Sequence, residues 1–104
     1  METVQIDVGL QRAARSIDRG DARLALSELD GLATREPAAV ELFEWWHLRI
    51  LALASMEQLD AAIEGSDRAL ARWPGEIDLM LTRARLLGIR GRLAEAEDAV
   101  RLVL

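Results

Sequence analysis

The segment Gln58-Leu59-Asp60-Ala61-Ala62-Ile63-Glu64-Gly65-Ser66-Asp67-Arg68-Ala69-Leu70-Ala71-Arg72-Trp73-Pro74 reads as one helix with its stop signal attached. Leu59, Ala62, Ile63, Ala69 and Leu70 recur at three- and four-residue spacing, which gathers them on one face of a 3.6-residue helix. Pro74 closes the pattern, because proline has no N–H and biases Trp73, its predecessor, away from the helical region.

The same grammar extends in both directions. Upstream, Leu24, Ala25, Leu29, Leu32 and Ala33 form a second apolar stripe that Pro37 terminates, and Val4, Ile6, Leu10, Ala13, Ala14 and Ile17 form the first. Between Pro37 and residue 58, a third stripe runs through Leu42, Trp45, Trp46, Ile50 and Leu53. Downstream follow Ile77, Met80, Leu81, Ala84, Leu86 and Leu87, then Leu93, Ala96, Ala99, Val100 and Val103. Gly20-Asp21 predicts a helix stop followed by an N-cap, and Gly91 predicts a similar break. The turn around Glu57-Gln58 has no glycine and is placed by its neighbours. No stretch alternates at period two, so the expectation is an all-α fold of six helices, forming one domain over 1–104.

The stripes also repeat. Pro37 and Pro74 lie 37 residues apart, as do Ala25 and Ala62; Leu59 and Leu93 lie 34 apart, as do Ala62 and Ala96. Three units follow, at about 4–37, 38–74 and 75–104. In the runs Gly20-Asp21-Ala22-Arg23-Leu24-Ala25, Gln58-Leu59-Asp60-Ala61-Ala62-Ile63 with Ala69 and Pro74, and Gly91-Arg92-Leu93-Ala94-Glu95-Ala96, the chain resembles the tetratricopeptide repeat family. Ala13 and Ala84 match that family's small mid-helix position, and Trp46 its first-helix tryptophan. The chain departs from the pattern at Ile50, Gly9 and Met80, and the first period is three residues longer than the second, an insertion for the third helix or the turn before it to absorb.

The resemblance implies a right-handed stack of three antiparallel helical hairpins, an α-solenoid, whose first helices line a concave face. That projection selects Leu10, Gln11, Ala14 and Ile17 from the first unit. It takes Glu44, His47, Leu48 and Leu51 from the second, and Asp78, Leu81, Thr82 and Arg85 from the third. A mixed lining with leucines suits an amphipathic helix or extended segment of a partner protein. The alternative is that these leucines pack inside the core. The family's clamp for a C-terminal carboxylate uses lysine and asparagine; this chain has neither. Trp45 and Trp46 sit about 100° apart around a helix, so one faces inward and the other outward. With Trp46 at the packing position, Trp45 is assigned to a partner contact, or else to covering the insertion. The last helix ends in Leu102, Val103 and Leu104 with nothing capping it, which predicts either a longer array or coverage by another subunit.

Composition narrows the function classes. Among 104 residues there are 18 Leu, 17 Ala and 13 Arg, with no Cys, which removes disulfides and cysteine-built zinc sites. A net charge of −5 argues against a nucleic-acid partner. No uncharged run exceeds about a third of the roughly 20 residues that span a bilayer, and Met1–Leu10 lacks a signal peptide's basic region. The expectation is a cytoplasmic protein without membrane association. His47 is the only histidine; Glu44 three residues earlier is placed to share a hydrogen bond with it. Neither a serine elbow nor a phosphate loop accompanies them, so no enzyme activity, small-molecule substrate or cofactor is expected. Glu95, Glu97 and Asp98 spread around a helix rather than converging on a metal. The expected function is therefore a scaffold or adaptor that binds a protein or peptide. The alternatives are a small secretion-type chaperone and a homo-oligomer assembling through its final helix.

Overall fold

A computed structural model describes residues 2–104, with side chains from Val4 onward; Met1, part of the expected domain, lies outside the described residues. Helices α1 (Glu2–Asp18), α2 (Ala22–Arg35), α3 (Phe43–Ser55), α4 (Leu59–Arg72), α5 (Ile77–Arg90) and α6 (Leu93–Val103) follow one another, with a 3₁₀ turn at Pro37–Glu41. The described residues contain no strand. Each helix packs on its neighbour in the chain, and α1 also reaches α3. The result is elongated, 44 × 26 × 18 Å.

Local chemistry places the turns. After α1, α3 and α5 the chain closes in the same way: the residue after the left-handed position reaches back five residues to a helix carbonyl. The N–H groups of Asp21, Gln58 and Arg92 donate to the carbonyls of Ser16, Leu53 and Leu87 at 2.8, 2.9 and 2.9 Å. This satisfies carbonyls that a helix end leaves free, and it requires positive φ at the residue before the donor. Gly20 and Gly91 supply it at φ 82° and 88°; at the middle turn Glu57 adopts φ 60° despite its Cβ. Asp21 then caps α2, its carboxylate accepting from Leu24 N at 3.1 Å.

The 3₁₀ turn lies before α3, where the longer first period predicts its extra residues, and Pro37 occupies its first position, after α2 has ended. Its exposed backbone is tied down from two sides. Val40 O accepts from Trp46 Nε1 at 2.8 Å and from an Arg72 nitrogen at 3.3 Å. Arg72 also pairs with Glu41 at 2.6 Å.

The core has two main bodies. Ile6, Leu10, Ala13, Leu29, Leu32, Ala39 and Trp45 pack together at the α1–α2–α3 end. Ile50, Leu53, Ile63, Leu79, Leu86 and Leu87 anchor the other. Burying one such leucine contributes roughly 1.5–3 kcal/mol. A smaller alanine cluster, Ala22, Ala25 and Ala52, lets α2 and α3 approach closely. Two serines are buried within this packing. Ser16 donates to Glu28 at 2.5 Å, and Ser66 to the Ala62 carbonyl at 2.9 Å. No buried side-chain polar atom among the described residues is left unpaired.

Two site expectations are corrected here. Leu10 does not line a groove: it is buried in the first core body, which α1 shares with α2 and α3. The tryptophan assignment is reversed. Trp45 is 6% exposed, and its Nε1 donates to Leu29 O across the α2–α3 contact at 3.0 Å. Trp46 is the half-buried one, turned toward the insertion. Both indoles find backbone acceptors, but only Trp45 faces the preceding helix, so it is unavailable to a partner.

Candidate functional site

The remaining groove positions divide by helix. On α1, Gln11 is exposed, Ala14 is half-buried, and Ile17 is half-buried against the alanine cluster. On α3, Glu44 is exposed while His47, Leu48 and Leu51 are half-buried. Leu48 leans on the Trp45 core body. The His47 ring stacks on Phe43, with centroids 5.4 Å apart at 18°, and has no hydrogen bond to Glu44 among the described residues. On α5, Asp78 and Arg85 are exposed, Leu81 is 44% exposed, and Thr82 returns its hydroxyl to the Asp78 carbonyl at 2.9 Å. None of these positions lines a closed cavity. They form open helix faces, with leucines half-covered between charged residues.

Three features escape a reading by motif. Asp7 is exposed on α1, 37 residues before Glu44, as Glu44 is 34 before Asp78; the repeat spacing itself was the signal for this acidic position. Ile77 and Ile89 are 58% and 62% exposed on α5, one turn to either side of the Leu81–Arg85 stretch. The third is a cleft of about 510 Å³ lined by Asp30, Ala33, Trp45, Trp46, Arg49 and Arg68. Arg68 lies over the Trp46 ring at 5.1 Å and Arg49 over Trp45 at 5.9 Å, so guanidinium groups already occupy the aromatic faces.

The expected interface residues at the end of α6 separate. Leu102 and Leu104 are largely exposed, while Val103 is half-buried. Leu102 turns toward a cleft of about 170 Å³ with Leu70, Pro74, Met80, Arg83 and Ala99. A different α6 face, carrying Leu93, Ala96, Glu97, Val100 and Arg101, stands open.

Charge is organised mainly across helix contacts. Arg83 of α5 pairs with Asp67 of α4 at 2.5 Å, and Arg90 with Asp60 at 2.9 Å. The Arg90 hydrogen bond and charge hold the Asp60 carboxyl below its usual value and raise the Arg90 guanidinium. Arg92, the residue before α6, does the same to Glu95 at 2.7 Å. Among the described residues, no helix is long and apolar enough to cross a membrane.

No family model matches this chain, and no curated protein or solved structure shows significant similarity to it.

Proposed function

We propose that the chain is a protein-interaction module: three tetratricopeptide-like hairpins in a right-handed stack, offering the faces of α1, α3 and α5 to a segment of a partner protein. The repeat reading is supported by offsets of 37 and 34 residues that relate unlike residues in like settings. Gly20, Glu57 and Gly91 share the left-handed turn. Trp45 and Leu79 share the buried face toward the preceding helix, and Arg49 and Arg83 share the next turn of that face.

One observation carries the binding function. The row Asp7, Glu44, Asp78 is acidic in all three units, and beside it Leu48, Leu51 and Leu81 keep apolar surface uncovered. Acids at one rim and leucines on the floor fit a segment presenting spaced apolar side chains next to Arg or Lys. This is a binding reading, with recognition residues and no catalytic ones, and Arg85 limits how far the basic part of the ligand extends.

Selection of random peptides displayed on phage against the immobilised protein tests it. The expected consensus has apolar residues at helical or alternate spacing with flanking basic residues. Asp78→Arg with Leu81→Glu, both at exposed positions, should remove the enrichment while the far-ultraviolet circular dichroism stays unchanged. Selection without a consensus, or one that survives the double variant, rejects the groove.

A further inference from the structure

The two contacts between successive hairpins follow one register, and the two ends of the molecule each carry half of it. Inside the chain, α2 covers α3 and α4 covers α5. On the covering helices, Leu29 and Ser66 occupy the same position, and both are 0% exposed. The position 34 residues beyond Ser66 is Val100 on α6, which is 39% exposed. Likewise Ala22 is 8% exposed and Leu59 half-buried, whereas Leu93 is 65% exposed. On the covered helices, Trp45 and Leu79 are buried, whereas their counterpart Val8 on α1 is 49% exposed. A face that is sealed twice by a helix of this chain is thus open at α6, and the surface such a face seals is open at α1.

At one position the side chains at the two open halves are matched in charge. Within the chain, the position pair Leu26 with Ala52, and again Ile63 with Leu86, is apolar and contributes to the core. At the open halves the corresponding residues are Glu97 on α6 and Arg15 on α1, both exposed and of opposite sign. We propose that α6 of one copy of this chain docks on α1 of a second copy in the register of α2 on α3, with Glu97 against Arg15 and Val100 against Val8. The contact is heterologous, so it propagates into chains or closes into rings rather than stopping at two.

It is also weak and reversible. The register puts Arg101 where Asp67 stands, and Arg12 where Arg83 stands; the internal ion pair of Arg83 with Asp67 therefore becomes two like charges. One helix against a helix pair is also at the small end of protein interfaces. The inference shares the repeat register with the reading above but does not use the groove, and Glu97→Arg leaves peptide selection unchanged.

Sedimentation equilibrium of the whole chain over a wide concentration range decides it. The wild type should gain mass with concentration past the dimer. Arg15→Glu and Glu97→Arg, both at exposed positions, should each remain monomeric. Their equimolar mixture, and the double variant, should recover wild-type growth, and Arg101→Asp should lower the dissociation constant about tenfold or more, a factor worth 1.4 kcal/mol. A wild type that stays monomeric, mass that stops at a dimer, or single variants that associate like the wild type would overturn the proposal.

Discussion

The α2–α3 junction and the α4–α5 junction each join helices adjacent in the chain, and they are built from different chemistry. At the first, an indole donates to a backbone carbonyl, Trp45 to Leu29, within a body that includes Leu29 and Leu32, and a separate alanine cluster packs farther along the same helices. At the second, aliphatic side chains led by Ile63, Leu79 and Leu86 fill the same space, and two ion pairs flank them, Arg83 with Asp67 and Arg90 with Asp60. Both junctions are buried, with different residue types.

Truncation puts the sharpest strain on that comparison. Leu79→Ala should lose about 2–5 kcal/mol, since Leu79 is fully buried and its neighbours close only part of the void. Trp45→Phe keeps most of the ring and forfeits one donor, for about 1–2 kcal/mol. Urea unfolding of both variants measures the ratio. Equal losses would mean that the first junction depends on its hydrogen bond as much as the second depends on its packing.

The turn before α4 offers an intermediate effect of opposite sign. Glu57 holds φ 60°, where Gly20 and Gly91 carry the same geometry without a Cβ. Glu57→Gly should raise stability by about 0.5–1 kcal/mol, the left-handed penalty less glycine's extra chain entropy. A lower urea midpoint in this variant would show that the Glu57 side chain contributes something the backbone account omits.

The smallest effect tests the ion pairs through pH. Arg90 holds Asp60 below its unfolded value, near 3.9 for a free Asp. The stabilisation is thus present above that unfolded value and lost as pH falls through the lower folded one. Asp60→Asn should lower the urea midpoint at neutral pH by less than Glu57→Gly raises it, because the pair is exposed and screened. The gap between variant and wild type should close in acid; a gap independent of pH would remove the ion pair from the account.

How much of this was legible in the sequence follows from the same contrast. Helix count, the stops at Gly20 and Gly91 and the proline breaks were readable, because they rest on backbone rules that act within a few residues. The turn at Glu57-Gln58 was placed by its neighbours, but its left-handed residue was not legible, since no glycine marks it. The choice between Trp45 and Trp46 was misread: it depends on an acceptor sixteen residues away on α2 and another in the 3₁₀ turn. Leu10 was misplaced for a related reason, as the body that buries it gathers residues of α1, α2 and α3 by tertiary contact with no local mark. Asp7, by contrast, was within reach of the spacing argument once its period had been applied to charged positions as well as apolar ones.

The crossed indoles have a further consequence. Trp45 and Trp46 lie 5.2 Å apart at 80°, while Trp73 meets Phe43 at the other side of the second hairpin. Two chromophores held so near each other and almost perpendicular couple their electronic transitions and imprint a paired circular-dichroism band that neither ring produces alone. The polypeptide therefore carries its own optical gauge of how α3 holds its two indoles, one on the Leu29 carbonyl of α2 and the other on the 3₁₀ turn, readable without any label.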